Sequence, residues 1–154
     1  MKKISFFVLI LIISAGFLPA EAKKIPVRIA PTQIISTNHN EIEVGDWICF
    51  EIVNDVYDDN QLYIKKGTKV IGIVDFLHPN GWLGDAADIK FNKFMTVNSS
   101  GKKIEIYSPL NLNGNILLKN ESKQLLSYFL TALIRGSEIF IEPDTKNFNI
   151  FINQ

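Results

Sequence analysis

The feature that most limits what this chain can become is a two-residue alternation confined to short runs. In the run from Ala87 to Phe94, Ala87, Ile89 and Phe91 take one parity, and Asp88, Lys90 and Asn92 take the other. Successive side chains of a strand point to opposite faces, so this is the pattern of a strand with one buried face. The same alternation sets Ile104 and Ile106 against Lys103 and Glu105, after a hairpin turn at Asn98-Ser99-Ser100-Gly101. Similar runs recur at Ile25 to Ile29, Ile34 to Ser36, Trp47 to Val53, Gln61 to Ile64, Lys69 to Leu77, Glu138 to Glu142 and Asn147 to Ile152. Short strands at short intervals favour a sandwich or barrel over alternating βα units.

Details within these runs add constraints. Pro26 cannot donate to a ladder and restricts its strand to an edge or a strand start. The mixed apolar character of Trp47 to Val53 predicts burial on both faces. Gly72, inside a strand, predicts a bulge or a close backbone approach. Ile64 to Ile73 and Ile141 to Ile150 echo each other, each reading as a strand, a four-residue turn ending in Thr68 or Thr145, and a strand.

One segment departs from the pattern. From Ser122 to Leu133, the residues Leu125, Leu126, Phe129, Leu130 and Leu133 share a face at helical spacing, behind an N-cap serine and before Gly136. The fold expected is therefore a small β-barrel or rolled sheet with one C-terminal amphipathic helix, its apolar face suited to plugging an open end.

The N-terminus reads as a separate device. Met1-Lys2-Lys3 is a positive n-region, Ile4 to Leu18 is apolar apart from Ser5, Ser14 and Gly16, and Ala20-Glu21-Ala22 supplies the small residues of a cleavage site. Residues 1–22 are expected to be a cleavable signal peptide, and 23–154 a single β-rich domain, exported to the periplasm or beyond. The sole cysteine, Cys49, has no partner within the chain, and its neighbours Ile48 and Phe50 predict a buried, inert thiol. Removing Lys2, Lys3 and Glu21 from 16 basic and 16 acidic residues leaves a charge of about −1. The basic residues form no stripe, which excludes a nucleic-acid partner by electrostatics, and no transmembrane segment follows the leader.

Candidate chemistry is sparse. Asp55, Asp58, Asp59 and Asn60 gather the oxygen ligands Ca²⁺ favours but miss EF-hand spacing, and they read first as a solvated turn. The longest glycine-rich loop runs from His78 to Asp85. His78 and Asp85, or His78 and Asp75, could pair as a base and its orienting acid, and Trp82 reads either as a binding anchor or as a plug over the core. No nucleophile elbow accompanies them, and two histidines with one cysteine do not suit a closed zinc site. His78, Trp82 and Asp85 are thus the candidate ligand or partner loop, with no catalytic, cofactor or metal assignment.

Over Val44 to Ile106, Gly45-Asp46, Ile64 to Thr68, Gly72-Ile73-Val74, Gly81 to Gly84, Ile89-Lys90-Phe91 and Gly101-Lys102 resemble a pattern of uncharacterised secreted bacterial β-proteins. The order is also similar to the C-terminal barrel of TrbI-type components of type IV secretion channels. That resemblance implies a periplasmic or outer-membrane assembly role and carries no site residue across. The closing turn Pro143-Asp144-Thr145 lacks the glycine which that pattern places before its threonine. Composition and motifs together point to an exported, non-catalytic domain that binds or scaffolds an unknown protein or envelope component. A secretion-like assembly subunit and a secreted hydrolase are the rivals.

Overall fold

The computed structural model describes residues 23–38, 42–82, 84–114 and 135–153. The expected leader and the expected helix at 122–133 lie outside these residues. What is described is mainly β, in ten strands. They are β1 (Lys24–Pro31), β2 (Ile35–Ser36), β3 (Trp47–Ile52), β4 (Val56–Asp58), β5 (Gln61–Ile64), β6 (Lys69–His78), β7 (Asp88–Val97), β8 (Lys103–Asn113), β9 (Phe140–Ile141) and β10 (Phe148–Asn153).

Six of them form one antiparallel sheet in the order β10-β1-β3-β6-β7-β8, rolled until its outer strands lie side by side. No ladder joins β8 to β10. Instead the Phe151 backbone N–H donates to the Ser108 hydroxyl across the seam at 3.1 Å, so the barrel is nearly closed. Along β1 the ladder to β3 covers only Ile29, Ala30 and Pro31, which leaves Pro26 flanked by β10 alone. The missing N–H of Pro26 is tolerated there because that part of the strand is locally an edge.

Such a narrow barrel has to bend sharply, and three strands bend at one level. The β6–β7 register skips Asp75 and Asn92, while β7–β8 skips Asn92, Ser108 and Pro109. Bulges of this kind add local twist and turn a sheet toward closure. The skipped Asn92 amide donates to the skipped Asp75 carboxylate at 2.6 Å. The bulge also resets the parity of β7, so that Phe91 and Phe94, three apart, both face inward and are fully buried. The alternation in the sequence therefore holds to Asn92 and then shifts.

Inside, the Phe50 ring meets Phe91 edge-on at 5.7 Å and Phe94 at 5.9 Å. Each such ring removed from water is worth about 1.5–3 kcal/mol, with a smaller gain from edge-to-face geometry. Gly72 lies against this cluster. A Cβ there would sit 2.9 Å from both the Phe50 and the Phe94 rings, so the expected close approach is real and aromatic. Ile25, Val27, Ile29, Val70, Val74, Ile89, Ile106, Ile150 and Ile152 complete the filling.

Two expectations are corrected on β3. Its burial alternates, with Ile48, Phe50 and Ile52 inside and Trp47 and Cys49 exposed, so only one face is covered. The thiol is outside because β3 lies in the barrel wall, and odd positions of the strand face solvent whatever their polarity.

Each end of the barrel carries a small cover. At one end Val56 and Ile64 of the β4–β5 hairpin are buried over the core. At the other end β2 pairs with β9, and Ile35, Ile139 and Ile141 are buried beneath them. The sequence echo appears as one turn built twice. Gly67 (φ 77°) and Asp144 (φ 58°) occupy the same left-handed position. Thr68 and Thr145 return their hydroxyls to the carbonyls of Lys65 and Glu142, at 2.6 and 2.8 Å. The N–H of Gly67 and that of Asp144 reach the ends of β3 and β1, at Ile52 and Pro31 respectively. Where the first turn uses Gly67, the second uses Asp144, one of the few residue types that tolerate positive φ.

Candidate functional site

The loop after β6 begins where the strand runs out of partners. His78 is the last β6 residue and pairs with Asp88, the first residue of β7. Pro79 then ends the ladder, and the chain turns back on itself so that Gly81 N–H donates to the Asp85 carbonyl at 2.8 Å. Gly84 takes φ 76°, which glycine allows without strain.

The loop is fastened from beneath. Asn80, only 7 % exposed, donates its side-chain amide to the Gly136 carbonyl at 2.8 Å, and Gly136 N–H donates to the Gly81 carbonyl at 2.8 Å. Ala87 N–H donates to Ser137, and Gly114 N–H donates to Ala87, so strands β7 and β8 and the 135–137 segment share one strip of backbone. A Cβ on Gly136 would lie 1.8 Å from the Asp85 carbonyl oxygen. Gly136, read in the sequence as a helix stop, serves here as a contact point that admits no side chain.

On this base stand the three candidate residues. His78 Nε2 lies 2.8 Å from Asp85 Oδ2, with both side chains about half exposed. The structure therefore brings the imidazole to Asp85, whereas Asp75 is engaged by Asn92. Trp82 is 69 % exposed and stands clear of the core, a displayed ring instead of a plug. No hydroxyl or thiol among the described residues hydrogen-bonds to His78.

The acidic cluster is a turn. Asp59 (φ 46°) and Asn60 (φ 64°) are the two central residues of the β4–β5 hairpin, the positive-φ pair of a type I′ turn. Asp55 accepts the Lys66 backbone N–H at 2.7 Å. Lys23 Nζ donates to both Asp58 and Asp59, and these bonds, Asp58 first, raise its pKa above the ordinary lysine value. Among the described residues no group of three or more His, Cys, Asp or Glu side chains is arranged to hold a metal ion.

The outer wall carries a second charged network. Lys93 Nζ bonds Glu105 at 2.8 Å and Tyr107 OH donates to the same carboxylate at 2.7 Å. These bonds, Lys93 first, hold the Glu105 carboxyl below its usual range. No helix among the described residues is long and apolar enough to cross a membrane.

The sequence displays the loop and the residue types of His78, Trp82 and Asp85, but not the roles of Asn80, Gly114 and Gly136, which fix it. The bonds of Asn80 and Gly114 span 56 and 27 positions, and no local pattern encodes such pairings. Comparison with known proteins returns nothing: no family model, no curated protein and no solved structure matches this chain.

Proposed function

We propose that the protein is an exported, non-catalytic β-barrel domain that binds or scaffolds a component of the bacterial cell envelope, with the 78–85 loop as its contact surface. The observation that carries this reading is Trp82, 69 % exposed on a loop pinned by buried hydrogen bonds. A large aromatic displayed on a backbone already fixed by its neighbours gives up less backbone freedom on binding, which suits an interface anchor. The barrel interior supports the same location. Its centre is occupied by the Phe50, Phe91 and Phe94 rings, so contacts are left to the ends and the outer wall. Export rests on the leader read at residues 1–22.

The test has two arms. A C-terminally tagged full chain, expressed in a bacterium and fractionated, is expected to yield a product beginning at Lys23 outside the cytosol; retention of the leader in the cytosol would sink the export half. A photo-crosslinking residue at position 82 is expected to capture an envelope component in living cells. The same residue at position 57, where Tyr57 is 56 % exposed on the opposite end, is the control, and equal capture at both positions would remove the loop from its role.

A further inference from the structure

Beside the end that bears the loop, the close of β8, strand β9 and the start of β10 enclose a groove of about 340 Å³, within the lower range of small-molecule sites, roughly 300–1,000 Å³. Leu112 and Ile141, each 5 % exposed, form an apolar floor. Phe140, 59 % exposed, and the half-buried Phe148 stand as aromatic walls. The amides of Asn111 and Asn113 add polar lining, and Glu138 and Lys146 add opposite charges. These two do not form an ion pair with each other, and neither has an ion-pair partner among the described residues.

Two charges of opposite sign beside an apolar floor, unpaired among the described residues, specify their complement. We infer that the groove binds a small zwitterion with an apolar or aromatic side chain, an amino acid or dipeptide, its ammonium on Glu138 and its carboxylate on Lys146. Charge-assisted hydrogen bonds are the stronger kind and orient the ligand, while Phe140 and Phe148 enclose its side chain. The inference goes beyond the loop-centred reading and does not depend on export, because binding by the purified protein is indifferent to compartment.

The experiment is calorimetric titration of the purified protein with leucylphenylalanine, its N-acetyl form and its C-terminal amide. The free dipeptide is expected to saturate the protein, and each blocked form to bind about tenfold more weakly, the loss that goes with one charged hydrogen bond. Lys146→Gln should weaken the free dipeptide about tenfold and leave the amide unchanged, while Glu138→Gln should spare only the N-acetyl form. Both side chains are exposed, and an unchanged circular dichroism spectrum identifies the variants as folded. No saturation by roughly 10 mM, or equal affinity for all three ligands, would overturn the proposal. A protein that binds the dipeptide yet keeps its leader in the cytosol would refute export and leave the groove standing.

Discussion

The two ends of the barrel are closed by different means. At one end the cover is a hairpin, Val56–Asp58 and Gln61–Ile64, whose turn follows from its own two central residues, Asp59 and Asn60. At the other end the cover is assembled from β2, the 78–87 loop, the close of β8 and the 135–141 segment, which meet from across the sequence. A cover made of neighbours is specified by turn chemistry and tolerates substitution in it. A cover made of distant segments is specified by close backbone contact, and a single added atom can separate the pieces.

The largest difference is expected between two glycines. Gly136→Ala drives a methyl onto the Asp85 backbone, where the Cβ position is 1.8 Å from the carbonyl oxygen. Neither partner is a flexible side chain, so the segments must part, and a loss of about 3 kcal/mol is expected in urea denaturation. Gly67→Ala, at φ 77° with nothing within 4 Å of its Cβ, carries only the left-handed backbone penalty, about 1 kcal/mol. Equal losses would erase the distinction between the ends.

Asn80→Ala comes next. It removes the donor to the buried Gly136 carbonyl and leaves that oxygen without its side-chain partner, a loss of about 1–3 kcal/mol. Because Asn80 lies under the loop, the change should also raise hydrogen exchange at Gly81 and Gly136 while leaving the Tyr63–Ser99 contact at the other end protected. Uniform loss of protection over both ends would show that they open as one unit.

A smaller effect tests the turn that both ends share. Asp144→Gly removes the side chain from a positive-φ position (58°) at one end, and Gly67→Asp places one on a positive-φ position (77°) at the other. The expected changes are opposite in sign and about 0.5–1 kcal/mol each, read from urea midpoints. Changes of like sign would mean that the two turns are alike in hydrogen bonding only.

The barrel was written in the sequence wherever period two survives. Ile104 and Ile106, Ala87 to Phe91 and the Gly101 hairpin all stand where alternation and turn residues put them, and the Gly72 approach followed from one glycine inside a strand. The failures share a cause. The apolar neighbours of Cys49 predict a buried thiol, yet strand parity overrides neighbour identity. Phe94 shares a face with Phe91 only because of the bulge at Asn92, and β8, expected from its alternation over Lys102 to Tyr107, continues through Pro109 to Asn113 because the same bulge lets a proline sit in an edge strand. Bulges depend on what the neighbouring strand does, and a single run of residues does not carry that. At the loop, His78, Trp82 and Asp85 were visible as residue types, while the anchors Asn80 and Gly136 acquire their roles only through partners 56 positions apart.

The smallest expected effect is a pH dependence confined to the hairpin end. Lys23 donates to Asp58 and then Asp59, and these bonds raise its folded-state pKa above the ordinary lysine value of 10.5. A group whose pKa is raised by folding contributes stability that is fully present below its unfolded value and disappears as pH climbs through the folded one. The clasp should therefore act at neutral pH and loosen only on the alkaline side, above about 10.5. Lys23 is about half exposed and Asp59 lies almost fully in solvent, so the change is a slight drift of the urea midpoint instead of a transition. Lys23→Gln should flatten that alkaline drift, lower the neutral-pH midpoint by the same slight amount, and leave hydrogen exchange at Gly81 and Gly136 untouched. A Lys23→Gln protein whose loop end loosened at high pH in step with its hairpin end would couple the two covers through the barrel wall, and their separate construction would no longer imply separate behaviour.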